Sequence, residues 1–71
     1  MNKLNVAIIG AGIGEQHLAA YRELPQQFSV KTLCDLDLDR ASQLTKDDPT
    51  IDLTSSFEDV VADPAIDIVD I

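Results

Sequence analysis

All three glycines of this 71-residue chain fall within five positions, at Gly10, Gly12 and Gly14. They directly follow a nearly continuous run of aliphatic residues, Val6 to Ile9, which is typical of a strand covered on both faces. Glycine is favoured where a backbone turns tightly or where a ligand approaches the backbone closely. The amides at a helix start, together with the helix dipole, bind anions such as phosphate. The stretch therefore predicts a phosphate-binding turn between a strand and a helix.

Each glycine has a separate predicted role in this turn. Gly10 permits the tight turn off the strand, Gly12 lets a pyrophosphate approach the backbone, and Gly14 allows close contact at the helix start. The backbone of Gly10, Gly12, Ile13 and Gly14 is predicted to hold the pyrophosphate. The common spacing is G-x-G-x-x-G, whereas here the third glycine comes one residue early. Either the turn is shorter or Glu15 takes the third position. We favour a shorter turn with Glu15 pointing outward, because its carboxylate would repel the pyrophosphate.

A second candidate binding residue, Asp35, follows the next apolar run and lies 21 residues after Gly14. In dinucleotide-binding folds, an acid about 20 residues after the glycines accepts hydrogen bonds from the adenosine ribose diol. Its charge repels a 2′-phosphate, so Asp35 predicts NAD, with NADP less favoured. The alternative is a plain turn or cap aspartate. Arg40 is predicted to approach the adenine or permit some NADP binding, or else to form a surface ion pair with Asp37.

The candidate binding residues must be positioned by strands and helices. Four apolar runs predict strands at residues 4–9, 28–34, 51–53 and 66–71. In the second run, side-chain alternation places four residues on one face of the sheet: Phe28, Val30, Thr32 and Cys34. Cys34 is expected to be a small buried residue at the strand end rather than a nucleophile.

Three segments between the runs have helical spacing and capping signals. The first ends before Pro25, because proline interrupts a helix. The second begins behind an N-cap at Asp37 and ends at the Asp-Asp-Pro stretch of residues 47–49. The third begins at a capping box formed by Ser55 and Glu58 and ends at an Asp-Pro pair.

The resulting order, β-α-β-α-β-α-β, requires parallel strands joined by right-handed crossovers. It predicts an α/β fold with a Rossmann-type parallel sheet in the order 3-2-1-4. The chain ends on an apolar run with no helix to cover it. We therefore expect residues 1–71 to be the amino-terminal half of a dinucleotide-binding domain, with the remainder absent.

The charge of the chain argues against two classes of partner. Thirteen acidic residues against five basic ones give a formal net charge of −8. Nucleic acid and anionic membrane surfaces both require basic residues, so neither is an expected partner. No apolar stretch is long enough to cross a bilayer, and a single cysteine fits the reducing cytoplasm.

No metal site is expected, although Asp35, Asp37 and Asp39 imitate the start of a calcium-binding loop. Such a loop needs glycine at its sixth position and usually glutamate at its twelfth. Those positions hold Arg40 and Lys46. The spacing therefore does not fit calcium.

Three blocks of the sequence resemble the glucose–fructose oxidoreductase and inositol dehydrogenase (Gfo/Idh/MocA) family. The blocks are VAIIGAGIGEQHLAAY, VKTLCDLDLDRASQL and SSFEDVVADPAIDIVDI, and they cover nearly the whole chain. The family typically places a histidine three residues after the last glycine, as His17 is here. It follows strand two with Asp-x-Asp-x-x-Arg-Ala, which is matched from Asp35 to Ala41. The resemblance suggests that His17 lies near the cofactor, whereas a packed or exposed histidine is the simpler alternative.

The resemblance implies a parent enzyme that transfers hydride between a nicotinamide cofactor and a sugar or cyclitol hydroxyl. The family's catalytic lysine lies in a Glu-Lys-Pro motif after the fourth strand and its helix. No residue of the 71 is therefore assigned a catalytic role. The resemblance also implies a carboxy-terminal substrate domain, through which the parent could form homo-oligomers.

Two other functions stay open from the residues alone. S-adenosylmethionine-dependent methyltransferases also use G-x-G-x-G spacing and an acid at the end of strand two. They commonly carry an acid two residues before the first glycine, where this chain has Ile8, and usually have sequence before strand one. A non-catalytic nucleotide-binding module would share the glycine turn and lack the lysine motif.

Overall fold

The structure, a computed structural model, describes residues 3–46 and 48–71; the side chains of Ala11 and Ile13 are outside this description. Strands and helices alternate along the chain in the order β1 (Leu4–Ile9), α1 (Ala11–Arg22), β2 (Phe28–Cys34), α2 (Leu38–Leu44), β3 (Asp52–Thr54), α3 (Phe57–Ala62) and β4 (Ile68–Asp70). All paired strands are parallel, and the sheet order is β3-β2-β1-β4. The predicted Rossmann-type α/β fold and its strand order are confirmed.

The strand order reverses between β1 and β4. From β1 the chain continues through β2 to β3 on one side, and then crosses back to place β4 on the other side of β1. In open α/β sheets, ligands bind outside the carboxyl ends of the strands at such a switch point. The carboxyl end of β1 leads directly into Gly10, so the glycine turn lies at the switch point.

The sheet has a separate core on each face. The larger core lies against α1 and α2 and contains the buried residues Val6, Ile8, Leu18, Leu33, Ala41 and Ile51. The smaller core lies against α3 and contains Ala7, Cys34 and Val60. Strand β1 contributes alternate residues to both cores, which confirms that its aliphatic run is covered on both faces.

Strand β2 changes the facing of its side chains halfway along. Its register against β1 shifts by one residue, which leaves Lys31 as the extra residue of a β-bulge. Phe28 and Val30 pack against the α1/α2 core, whereas Cys34 belongs to the core beneath α3. The prediction that these three residues and Thr32 share one face is wrong, because the bulge inverts the alternation that the prediction assumed.

The bounds of β1 and β2 match the sequence predictions, whereas the start of α3 and the bounds of β3 and β4 differ by one or two residues. The N-cap of α2 is Asp37, as predicted, and its Oδ1 accepts a hydrogen bond from the Arg40 amide at 3.1 Å. The N-cap of α3 is Ser56, whose Oγ accepts from the Asp59 amide at 3.2 Å. The capping box predicted to begin at Ser55 is therefore one residue too early.

Other predicted boundaries shift in a similar way. Strand β3 begins at Asp52, one residue late, and β4 begins at Ile68, two residues late. At the predicted end of the second helix, Asp47 lies outside the described residues. Among the described residues, no helix is long and apolar enough to span a membrane.

The Lys31 side chain joins three elements across the sheet. Its Nζ lies 2.7 Å from Asp63 Oδ2, at the C-cap of α3, and 3.5 Å from Asp52 Oδ2, at the start of β3. The hydrogen bond from Lys31 lowers the pKa of Asp63, and the same bond raises the pKa of Lys31. The ion pairs therefore tie β2 to β3 and to the end of α3.

The substitution Lys31→Gln should destabilise the protein at neutral pH and have little effect at strongly acidic pH. A carboxylate whose pKa is lowered by folding stabilises the folded state above its unfolded pKa, and this stabilisation disappears as the pH falls through its folded pKa. Denaturant unfolding of both proteins at the two pH values measures the difference. Lys46→Gln, at an exposed lysine on the same chain, is the control. A stability loss of equal size at both pH values would contradict the role of Asp63.

Candidate dinucleotide-binding site

The turn from β1 into α1 consists of one residue, Gly10. Its φ of +97° lies in a region that side-chain-bearing residues rarely adopt. Its N–H donates to the Cys34 carbonyl at 2.8 Å, and its carbonyl accepts from the Gly14 N–H at 2.9 Å. Gly10 is therefore both the end of the strand and the N-cap of α1, as a tight turn requires. Glu15 is exposed, as expected for the shorter turn.

Gly14 sets the distance between α1 and the sheet. A Cβ at this position would lie 3.0 Å from Ile8 Cγ2 and 3.7 Å from Leu33 Cδ1. Both side chains belong to the α1/α2 core and are almost completely inaccessible, so neither has space into which to move. The missing side chain lets the helix backbone lie directly on the strand that leads into it.

Gly12 lies on the exposed side of the first helical turn. A Cβ there would meet only one atom closer than ordinary van der Waals contact, Arg40 Nη1 at 3.3 Å. That atom is the end of a long flexible side chain, which can move. The position is therefore open to a ligand in a way that Gly14 is not.

The hydrogen bonds narrow the predicted set of pyrophosphate donors. The amides of Gly10 and Gly14 already donate to the carbonyls of Cys34 and Gly10. The amides of residues 11–13 follow the N-cap and have no acceptor within the helix, because a helix leaves its first N–H groups unpaired. The donor prediction therefore stays for Gly12 and Ile13, whereas Gly10 and Gly14 act on the turn and the packing.

Asp35 lies directly after β2, beside the glycine turn. The bond between Gly10 N–H and the Cys34 carbonyl joins the ends of β1 and β2, so Asp35 follows a residue bonded to the turn. Its own N–H donates to the Thr54 carbonyl at 3.0 Å. Its Oδ1 accepts from the Asp37 amide at 2.7 Å, which forms a local turn and orients the carboxylate. The turn role and the predicted ribose role involve the same side chain and are compatible.

Arg40, in the first turn of α2, extends its guanidinium over Gly12. The predicted ion pair between Arg40 and Asp37 does not form in the described part of the chain. Asp37 instead accepts the backbone N–H of Arg40 as an N-cap, and this use of its carboxylate leaves the guanidinium directed towards the glycine turn. The structure thus brings Gly12, Asp35 and Arg40 together at one edge of the sheet.

Two residues of this edge were not singled out from the sequence. Leu36 follows Asp35 and is 91% exposed, and Leu38 begins α2 with its side chain also exposed. Two large apolar side chains in water beside the candidate ribose acceptor are suited to contact a flat ligand ring. Their positions one and three residues after Asp35 are the sequence signal from which they could have been predicted.

Cys34 and His17 do not contribute reactive groups to the glycine turn. Cys34 is buried, and desolvation raises the pKa of its thiol, so the expectation of a small buried residue is confirmed. His17 faces β4, where its Nδ1 lies 3.1 Å from Asp70 Oδ1. The histidine is half-buried and packed on the sheet, in agreement with the simpler of the two interpretations.

Parallel strand order, a one-residue glycine turn and an acid after β2 define an α/β protein of the dinucleotide-binding Rossmann class. The family model of oxidoreductases with an NAD-binding Rossmann fold, Gfo/Idh/MocA, matches residues 4–71. The chain belongs to this family. The family match favours an oxidoreductase over the methyltransferase alternative. Comparison with curated protein sequences gives no match.

Three solved structures share the fold over nearly the whole chain. GenD2 from gentamicin A biosynthesis, solved with NAD, is 21% identical with a TM-score of 0.84 over 97% of this chain. The WlbA dehydrogenase from Chromobacterium violaceum, solved with NADH and UDP-GlcNAcA, is 23% identical with a TM-score of 0.84 over 97% of this chain. An NAD-binding oxidoreductase from Klebsiella pneumoniae is 27% identical with a TM-score of 0.74 over 96% of this chain. This chain spans 20% of the length of each of the three.

The substitution Gly14→Ala should lower the free energy of unfolding by about 1 kcal/mol, because the overpacking cost exceeds the gain in helix propensity. Gly12→Ala is the matched control, since it makes the same change two residues earlier on the exposed side of the helix. We expect it to leave the stability equal or to raise it by up to about 1 kcal/mol. Denaturant unfolding measures both. Equal stability changes in the two variants would contradict the close contact at Gly14.

Proposed function

We propose that this chain is the cofactor-binding part of an NAD-dependent oxidoreductase, and that residues 1–71 form the amino-terminal half of its dinucleotide-binding domain. One observation carries the proposal. At the switch point of the sheet, the open first turn of α1, the oriented Asp35 and the guanidinium of Arg40 lie side by side. A dinucleotide presents a pyrophosphate and an adenosine diol on one molecule.

The first turn of α1 fits a pyrophosphate group. The amides of Gly12 and Ile13 point out of the helix start, and the helix dipole adds a partial positive charge there. Gly12 has no side chain to keep a phosphate away, and Gly10 provides the backbone turn. These residues bind and orient the cofactor through the backbone, whereas hydride transfer is the chemistry that a bound nicotinamide supplies.

The end of β2 fits the adenosine. Asp35 would accept hydrogen bonds from the ribose diol, and its charge disfavours the 2′-phosphate of NADP. The Arg40 guanidinium lies beside Gly12 and would approach the adenine or the pyrophosphate. Leu36 offers an exposed apolar side chain to the ring. The proposed cofactor is therefore NAD, with NADP weaker.

The proposed substrate of the parent is a sugar or cyclitol hydroxyl. Family membership supports an oxidoreductase, and the WlbA dehydrogenase was solved with the sugar nucleotide UDP-GlcNAcA. None of residues 1–71 is assigned to catalysis, and we propose that a lysine further along the parent chain supplies the proton transfer. We also propose a cytoplasmic location and homo-oligomerisation through a substrate domain.

The substitution Asp35→Ala should weaken NAD binding about tenfold or more, because a charge-assisted hydrogen bond contributes about 1.5–3 kcal/mol. Isothermal titration of the parent protein with NAD measures the effect. Asp39→Ala is the matched control, since it removes an equal charge from an exposed position in the first turn of α2. An unchanged affinity in Asp35→Ala, or an equal loss in the control, would contradict the ribose role.

The substitution Gly12→Ala should weaken NAD binding about tenfold while the fold stays intact. The added methyl group would occupy the approach to the first-turn amides, and the expected loss corresponds to about one hydrogen bond to a charged group. Titration with NAD and unfolding of the same variant separate the two effects. Full affinity in a folded Gly12→Ala variant would show that the pyrophosphate does not lie over this turn.

A further inference from the structure

A carboxylate lies on the apolar face of the sheet at β4. Asp70 pairs with Ile8 of β1, and paired residues of neighbouring strands project to the same face. That face carries the α1/α2 core, to which Ile8 belongs. The Asp70 side chain is only 22% exposed, and a charge so placed is unfavourable unless polar groups compensate it.

Helix α1 supplies the compensating groups. The Tyr21 hydroxyl donates to Asp70 Oδ2 at 2.8 Å, and this bond raises the pKa of Tyr21. One turn earlier, His17 Nδ1 lies 3.1 Å from Asp70 Oδ1. This nitrogen is inaccessible to solvent, and its contact with the carboxylate is not aligned as a hydrogen bond. The two oxygens of one carboxylate thus face two polar groups on the same side of α1.

The Tyr21 ring is itself held in place. It packs edge-to-face on Phe28, with ring centroids 5.2 Å apart and an interplanar angle of 69°. It also lies against the α1/α2 core. The hydroxyl that binds Asp70 is therefore carried by a ring with little freedom to move, which makes the bond a directional constraint on α1.

The contact between Asp70 and Tyr21 joins the two sides of the switch point. Gly14 sets how closely α1 lies on β1, but apolar contacts of this kind are non-directional and permit small sliding or rotation of the helix. The bond between Tyr21 and Asp70 adds direction, and it runs from α1 to β4. Helix α1 carries the first-turn amides, and β4 forms the other wall of the crevice.

We propose that Asp70 is a positioning residue for NAD binding: through its hydrogen bond with Tyr21 it holds the first turn of α1 in register with β4. This inference rests on the proposed function, since it concerns the same crevice. Asp70 acts through the helix and is assigned no contact with the cofactor. Loss of the contact leaves the amides in place on α1 but no longer fixed relative to β4.

The test compares NAD affinity and stability in Asp70→Asn, Tyr21→Phe and the double variant of the parent protein. Each single substitution should raise the dissociation constant for NAD about fivefold, as expected for one hydrogen bond. The double variant should be no weaker than the weaker single variant, because both changes break the same contact. Tyr21→Phe keeps the ring and its packing, so it still tests the proposal if Asp70→Asn does not fold.

The matched control is Asp67→Asn, three residues earlier. Asp67 Oδ2 accepts the Asn5 N–H at 2.8 Å and so ties the segment before β4 to the amino end of β1, away from the crevice. This variant should lose stability but keep the NAD dissociation constant of the wild type. If Asp70 has a purely structural role, Asp70→Asn and Tyr21→Phe will likewise lose stability and keep the NAD dissociation constant of the wild type.

The outcomes separate this inference from the proposed function. If Asp35→Ala weakens NAD binding while Asp70→Asn and Tyr21→Phe retain the wild-type dissociation constant, the positioning role is wrong and the proposed function stands. An equal loss of affinity in Asp67→Asn also contradicts the positioning role, because the effect is then general. A folded wild-type protein that does not bind NAD contradicts the proposed function and this inference together.

Discussion

The close approach of α1 to β1 at Gly14 is the constraint on which the rest of the structure depends. A Cβ there would lie 3.0 Å from Ile8 Cγ2, closer than ordinary van der Waals contact, so the helix backbone lies directly on the strand. This approach permits a one-residue turn at Gly10, in which the strand and the helix share hydrogen bonds with a single residue. The first-turn amides consequently lie at the carboxyl edge of the sheet, above the switch point, where Asp35 and Arg40 also lie.

The proposed site would bind an anion within a chain of net charge −8. General attraction cannot supply the affinity, since the overall charge opposes a dinucleotide. The favourable terms are local: the amides and dipole of α1, and the guanidinium held over Gly12. Even Asp35 depends on local geometry, because the Asp37 amide orients its carboxylate. Short-range hydrogen bonds therefore decide what this edge of the sheet can bind.

The features predicted correctly are those encoded by neighbours in sequence. The glycine spacing, the Asp37 cap and the order of the elements depend on residues only a few positions apart, and all are present. The features that were missed depend on distant contacts. The Asp70 bond to Tyr21 spans 49 residues, and no local pattern signals it. One miss, in contrast, is local: the ion pair with Asp37 that was an alternative role for Arg40 does not form among the described residues, where Asp37 caps α2 instead.

The bulge at Lys31 divides β2 into two halves, and the alternation of side chains between the two faces of the sheet is inverted from one half to the other. The amino half completes the core beneath α1 and α2, and the carboxyl half ends in the core beneath α3. The number of residues in the strand, and not their type, therefore decides which face of the sheet each residue of the carboxyl half occupies. A substitution in β2 alters the packing around the substituted residue. The loss of one residue, in contrast, would exchange Leu33 and Cys34 between the two cores.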